Sequence, residues 1–182
     1  MAINMLLLIW LFPLAFLLHD LEELLFFEPW LKKNAGAVLE RVRGRLPAFV
    51  ERQLETVLHK STAQFAFPIA LNFLLTCLAA FLAARYGQYT FFLIAGSLFF
   101  MHGFMHIGQA ILMRKYIPAL VTSIIIVLPY GILLFLNLLA SRVTTRSGLL
   151  IYCVIAVIIA VPFILIMHAI GESLYKGIAK SV

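Results

Sequence analysis

Five long apolar runs, separated by polar connections, set the pattern of the chain. The runs cover approximately residues 3–27, 61–84, 89–113, 117–140 and 149–174. A helix needs about 20 predominantly apolar residues to cross a bilayer, and each run is long enough to do so. The pattern therefore predicts an all-α fold in which residues 1–182 form a single domain, an integral membrane bundle of five transmembrane helices.

The connection between the first two runs, residues 28–60, is long and carries a helical pattern of its own. Its apolar positions after Pro47 recur close to the helical period, at Phe49, Val50, Leu54, Val57 and Leu58. A basic piece from Arg41 to Arg45 precedes Pro47. We expect a cytoplasmic amphipathic helical loop on the membrane surface, and the alternative is a lid over a site that opens on that side.

The overall composition agrees with a membrane protein. Of all residues 64% are hydrophobic, and the mean hydropathy of +1.05 is far above that of a soluble domain. The formal net charge of +6 predicts basic loops that contact anionic membrane lipids, and we expect no nucleic-acid partner. Cys77 and Cys153 both lie in apolar runs, which indicates buried side chains rather than a disulfide framework.

Lysine and arginine are distributed unequally between the two sides of the predicted bundle. The side of the first loop, the third connection and the C-terminal tail holds eleven of them, and the other side holds Arg85, Arg142 and Arg146. The eleven are Lys32, Lys33, Arg41, Arg43, Arg45, Arg52, Lys60, Arg114, Lys115, Lys176 and Lys180. Because cytoplasmic loops are enriched in these residues, we predict the N-terminus outside and the C-terminus in the cytoplasm, in the plasma (inner) membrane.

Ionisable residues interrupt three of the apolar runs. In the first run, His19, Glu22 and Glu23 are three and four residues apart, so they share one helical face, and Asp20 is expected to point aside. Each such group costs about 2.5–3.5 kcal/mol at the centre of a membrane helix. Three on one face indicate a partner, and a cation is the partner that fits them best.

Two further runs carry pairs at the i, i+4 spacing that lets two side chains hold one metal ion. The third run has His102 and His106, and the fifth has His168 and Glu172. Measured along their helices, one or two members of each group lie about 12–15 Å from the nearest predicted cytoplasmic basic residue, namely Glu22, Glu23, His106 and His168. We therefore expect them to meet in one layer, in the cytoplasmic half of the bilayer.

The combined set predicts a mononuclear or dinuclear metal site. The expected metal ligands are His19, Glu22, Glu23, His102, His106 and His168. Imidazole and carboxylate ligands suit zinc or iron, so one or two divalent ions are expected, with the metal left open. Glu23 and Glu172 are the candidate catalytic bases, while Gln109 and Asn72 would orient ligands from outside, Asn72 by bonding helix to helix.

The alternative to a metal site is a set of interhelical hydrogen bonds that only lock the bundle. Such bonds contribute about 0.6 kcal/mol each on average, and hydroxyl or amide groups would make them at a lower desolvation cost. Thr122 and Ser123 fall at the same depth, and we expect them to bond to the backbone of their own helix.

The segment His19–Asp20–Leu21–Glu22–Glu23 resembles the signature of the HXXEE family of small multi-pass membrane proteins. Further similarity lies in His102–Gly103–Phe104–Met105–His106 and in the following Tyr116–Ile117–Pro118. The resemblance covers most of the chain, from the first run through the fourth. It implies a membrane enzyme without an established reaction, so it supports a site but supplies no substrate.

We expect an enzyme that hydrolyses a lipid or another membrane-soluble substrate with water activated at the metal. One alternative is a di-iron oxidoreductase of the hydroxylase or desaturase type, which would need a redox partner. Another is a metal transporter or sensor without enzymatic activity, although the outer halves of the runs lack polar residues along a path. The oligomeric state is left open, and a homo-oligomer is compatible with the sequence.

Overall fold

Residues 4–180, which are described by a computed structural model, form six helices and no strand. The helices are α1 (Met5–Val42), α2 (Ala48–Leu58), α3 (Thr62–Tyr86), α4 (Tyr89–Met113), α5 (Leu120–Ala140) and α6 (Arg146–Ala179). All except α2 are long and apolar enough to cross a membrane. The predicted all-α class with five candidate spans is therefore confirmed.

The first helix is much longer than the first apolar run. It has 38 residues, and at 1.5 Å per residue this is about 57 Å, compared with about 30 Å for the hydrocarbon core of a bilayer. Pro29 lies inside the helix without ending it. The first part of the predicted loop 28–60 is therefore a continuation of α1, and only its second part forms the separate helix α2.

The second half of α1 is held against the connection between α4 and α5. The indole Nε1 of Trp30 donates to the carbonyl of Tyr116 at 2.7 Å, and Nζ of Lys115 donates to Oδ1 of Asn34 at 3.3 Å. These contacts place the connection, residues 114–119, directly over the part of α1 that follows the His19–Glu23 segment.

Aromatic side chains fill the interior of the bundle. Phe12 packs against Phe92 at 5.4 Å, against Phe99 at 5.7 Å and against Tyr130 at 6.0 Å between ring centroids. We call these four residues the aromatic core. Each is at most 8% exposed, and the Tyr130 hydroxyl donates to the carbonyl of Leu8 at 3.0 Å. The aromatic core thus closes the bundle between the start of α1 and His19.

Two glycines bring helices unusually close together beside the ionisable residues. A Cβ atom at Gly103 would lie 2.8 Å from Cγ1 of Val127, so α4 and α5 touch next to His102. A Cβ atom at Gly171 would lie 2.5 Å from Cδ of Pro68, so α3 and α6 touch one turn from His168. Larger side chains at either glycine would push these helices apart.

Helix α5 contains a π-helical stretch, Ser123–Val127, in which hydrogen bonds run from residue i to i+5. The N–H of Leu128 donates to the carbonyl of Ser123 in this pattern. Pro129 follows directly and has no N–H to donate. The π-helical stretch lies between Thr122 and the part of α5 that packs on the aromatic core.

Candidate metal centre

Three imidazoles from two helices meet inside the bundle, and we call them the histidine cluster. His19 comes from α1, and His102 and His106 come from successive turns of α4. One ligand nitrogen from each lies within 4.8 Å of the other two. His19 is 0% and His106 is 3% exposed. The expectation that the first and third apolar runs bring their histidines together agrees with this geometry.

The two α4 histidines already stand at nearly the spacing of metal ligands. Their Nε2 atoms are 2.9 Å apart, so one of them carries the proton that the other accepts. Two nitrogens on a tetrahedral zinc ion with bonds of about 2.0–2.1 Å are about 3.3 Å apart. If the two rings moved apart by a few tenths of an ångström, a metal ion could replace the proton that the two nitrogens share.

Two carboxylates adjoin the histidine cluster, and we call Asp20 and Glu23 the carboxylate pair. Ligand atoms of the pair and of His102 lie within 4.8 Å of one another, and Oε2 of Glu23 is 3.9 Å from Nε2 of His102. Two ionised carboxylates with oxygens within 4.8 Å of each other repel, and a bound cation relieves the repulsion. The pair therefore adds a second reason for a cation at the same place.

The expectation that Asp20 points aside is wrong. Asp20 is 5% exposed and shares a ligand group with Glu23. The physical reason is that Glu23 lies four residues after His19 and three after Asp20, so it belongs to the helical faces of both. The sequence spacing contained this signal.

The two ligand groups favour one ion rather than two. His102 belongs to both, and its Nε2 is the atom that approaches both His106 and Glu23. A neutral imidazole nitrogen has one lone pair and binds one ion. The donor set therefore suits a single ion beside three imidazoles, with the carboxylate pair next to it.

Glu22 was expected to be a metal ligand, but both of its carboxylate oxygens accept hydrogen bonds from the start of α5 and from Tyr116. Its Oε2 accepts from the Thr122 N–H at 2.7 Å and from the Thr122 hydroxyl at 2.6 Å. Its Oε1 accepts from the Tyr116 hydroxyl at 2.7 Å and from the Val121 N–H at 3.3 Å. Glu22 thus caps the N-terminus of α5, where a carboxylate is favourable, and it belongs to neither ligand group among the described residues.

Thr122 and Tyr116 are contacts that the sequence pattern did not reveal. Thr122 Oγ1 lies 3.1 Å from Nδ1 of His19. The Ala119 carbonyl, at the start of the same helix, lies 2.7 Å from the Ser123 hydroxyl and 3.4 Å from the Thr122 hydroxyl, as expected for both. Partial burial, and then the hydrogen bond to Glu22, raises the pKa of the Tyr116 phenol, which therefore stays protonated and donating at neutral pH. In the sequence, only the resemblance to the HXXEE family pointed to Tyr116.

The fifth run does not join the histidine cluster. Glu172 lies 2.7 Å from Nζ of Lys176 and 3.5 Å from Nζ of Lys60, and His168 packs on Phe65 with ring centroids 5.3 Å apart. We call Lys60, His168, Glu172 and Lys176 the lysine cluster. Among the described residues, neither His168 nor Glu172 belongs to a group of three ligand atoms. The expected convergence of all three runs is therefore only partly found.

The two residues expected to orient ligands make no hydrogen bond to the histidine cluster in the described part of the chain. Gln109 is exposed on α4. Asn72 of α3 is half-buried, and its Oδ1 is buried without a hydrogen-bond partner. Their orienting roles stay predictions.

Comparison with known proteins yields one match. The family described as "Protein of unknown function with HXXEE motif" matches residues 10–134, which is more than half of the chain. No curated protein and no solved structure matches. The matched range contains the histidine cluster, the carboxylate pair, Glu22 and Thr122, and it ends before His168.

Proposed function

We propose that this chain, which belongs to the HXXEE family, is a membrane-embedded metal-dependent enzyme that hydrolyses a lipid or another membrane-soluble substrate. The observation that carries the proposal is the histidine cluster, in which three imidazoles face one another deep in an apolar bundle. A hydrogen-bonded scaffold does not need three histidines and two carboxylates, since hydroxyls and amides cost less to bury.

The donor set supports one divalent ion. Three imidazoles are the ligands of a well-known class of catalytic zinc sites that keep a fourth position open, and zinc is therefore our first choice over iron. Such an ion supplies Lewis acidity and lowers the pKa of water. The residues that would hold it are His19, His102 and His106.

Glu23 is our candidate general base. It is 3.9 Å from His102, its side chain is 14% exposed, and no lysine or arginine pairs with it among the described residues. It would take the proton of the attacking water as the new bond to the acyl or phosphoryl centre forms. The same proton would then pass to the leaving oxygen as the ester bond breaks. The other candidate base, Glu172, is occupied by two lysines, which leaves this role to Glu23.

Oxidation of a lipid is the second candidate. The carboxylate pair with His102 is an oxygen-rich set that suits iron, and a redox partner would then supply electrons. The shared nitrogen of His102 disfavours two irons, so an oxidoreductase would hold a single ion. A transporter is disfavoured because the aromatic core fills the bundle between the histidine cluster and the start of α1.

The proposed setting is the plasma (inner) membrane, with the α4–α5 connection and the end of α6 in the cytoplasm. The support for this orientation is the excess of lysine and arginine on that side. In this orientation the site lies in the half of the bilayer nearer the cytoplasm, where water and lipid headgroups are both within reach. Membrane lipids would then be both the surroundings and the substrates of the enzyme.

The test combines elemental analysis of detergent-purified protein with a turnover assay on mixed phosphatidylcholine and phosphatidylglycerol vesicles, read by mass spectrometry of released products. We expect about one zinc per chain. Glu23→Gln should keep the ion and lose turnover by at least about 10²-fold, because a general base contributes that much. Glu172→Gln is the matched control and should retain both.

Protein that takes up no divalent ion would exclude the proposed function. Near-stoichiometric iron with oxidised lipid products would favour the second candidate. Full turnover by Glu23→Gln would show that Glu23 is not the base.

A further inference from the structure

The hydroxyl of Thr122 stands between a carboxylate and an imidazole. Its Oγ1 is 2.6 Å from Oε2 of Glu22 and 3.1 Å from Nδ1 of His19. A threonine hydroxyl has one proton to donate, and an ionised carboxylate only accepts. The Ala119 carbonyl is a second acceptor within reach, at 3.4 Å, but Oε2 of Glu22 is closer, at 2.6 Å, and charged. Thr122 therefore donates to Glu22, and its oxygen is left to accept from His19.

The environment of Glu22 agrees with an ionised carboxylate. Besides Thr122, it receives the hydroxyl of Tyr116 and the N–H of Val121, and it sits at the positive end of α5. Each of these neighbours presents a hydrogen to it. The donors therefore all point toward Glu22, and the direction of the Thr122 hydrogen bond follows from them.

From this geometry we infer that Thr122 and Glu22 fix His19 as the tautomer that carries its proton on Nδ1. A neutral imidazole with a proton on Nδ1 has its lone pair on Nε2. Nε2 of His19 is buried and has no hydrogen-bond partner, and His19 belongs to the histidine cluster. Thr122 is thus a positioning residue that presents Nε2 as a ligand.

The inference also gives the first glutamate of the HXXEE segment its own role. Glu22 orients and polarises His19 through a hydroxyl, while Glu23 lies on the side of the ligands. A hydrogen-bonded anion behind a ligating histidine makes its other nitrogen a stronger donor. The start of α5 becomes part of the site, because the N–H groups of Val121 and Thr122 hold Glu22 in place.

The inference rests on the proposed function only for the metal, since the tautomer exists without one. The test uses full-length protein in detergent, labelled with ¹⁵N-histidine and freed of metal by a chelator. Resonances of His19 are assigned with His19→Gln. We expect the wild type and Thr122→Ser to show a protonated Nδ1, and Thr122→Val, which removes the hydroxyl but keeps the shape, to lose this preference.

A zinc titration on the same samples gives the second measurement. Thr122→Val should weaken zinc binding by about 10–100-fold, the usual effect of losing an outer hydrogen-bond partner, and Thr122→Ser should restore it. Thr76→Val is the matched control, because Thr76 is a helical threonine whose hydroxyl donates only to the carbonyl of Asn72 in its own helix, at 2.8 Å. It should change neither measurement.

The outcomes separate the two proposals. A wild-type spectrum with the proton on Nε2 of His19 overturns the inference even if every variant fails to fold. An unchanged tautomer and unchanged zinc affinity in Thr122→Val also overturn it. If the tautomer behaves as expected but the wild type binds no zinc, the proposed function and the ligand role of His19 fail, while the tautomer assignment stands.

Discussion

The histidine cluster and the lysine cluster start from the same sequence feature and end as different structures. Each contains an i, i+4 pair on a long apolar helix, His102 and His106 in one and His168 and Glu172 in the other. In the first, a third imidazole and two carboxylates close around the pair. In the second, two ammonium groups neutralise the carboxylate. The i, i+4 spacing places two ionisable side chains on one helical face. The residues on the neighbouring helices determine whether further potential metal ligands or neutralising lysines lie beside them.

The charges explain why we propose a bound cation at only one of the two. Glu172 has its cations within the protein, from Lys60 and Lys176. Asp20 and Glu23 have no lysine or arginine partner in the described part of the chain. An anionic pair in an apolar bundle is costly unless a cation accompanies it.

The largest expected effect is on metal content. His106→Ala removes one of three ligand nitrogens, and the zinc bound by detergent-purified protein should fall from about one ion per chain to less than about a tenth of that value. His168→Ala deletes a histidine at a comparable depth in the lysine cluster and should keep the full content. Elemental analysis of both variants measures the contrast. Equal metal loss in the two would erase the distinction between the clusters.

A smaller effect is expected from the glycine beside His102. Gly103→Leu forces a side chain into Val127, and overpacking of this kind costs about 1–3 kcal/mol. Gly108→Leu gains the same helix propensity on the same helix, but nothing lies within 4 Å of its Cβ position. Thermal unfolding in detergent should show a lower Tm for the first variant only. The metal content should fall with it, and a Gly103→Leu protein with wild-type Tm would mean that α4 and α5 are not in close contact.

The smallest effect is expected in the lysine cluster. Glu172→Gln breaks two ion pairs. The pair with the exposed Lys176 contributes at most about 1 kcal/mol, and the amide oxygen of glutamine can still accept from the buried Lys60, so Tm should fall by no more than about 2–4 °C. Zinc content should stay at the wild-type value in the same preparation. A loss of zinc here would place Glu172 in the metal site after all.

The apolar pattern was enough to predict the helices, because crossing a bilayer requires a length that few other structures need. The pattern misplaced the end of α1, because the apolar run ends near Phe27 while the helix continues through Pro29 and the polar residues after it to Val42. The pattern also predicted that His19, His102 and His106 come together. Distance along a helix axis was sufficient there because their faces happen to turn toward each other.

The remaining parts of the site depend on rotation and on loops, which spacing does not encode. Helix α6 packs against Phe65 and Pro68 of α3 near His168. His168 therefore does not reach the histidine cluster, although a similar depth in the membrane was predicted for both. Thr122 and Tyr116 reach Glu22 because the α4–α5 connection folds back over α1. Ala119 has a positive φ of 67° in that connection, and an alanine in the sequence does not predict this conformation.

The π-helical stretch of α5 behaves as a one-residue insertion in the register of that helix. Deleting one residue between Ser123 and Val127 would restore an ordinary α-helix and leave Tyr130 on the aromatic core. Thr122 would then turn by about 100° around the helix axis and away from His19. The hydrogen bond between Thr122 and His19 and the packing of α5 on the aromatic core can therefore change independently in evolution. Loss of a single codon at this point should therefore separate the hydrogen-bonded support of the proposed metal ligands from the packing of the fold.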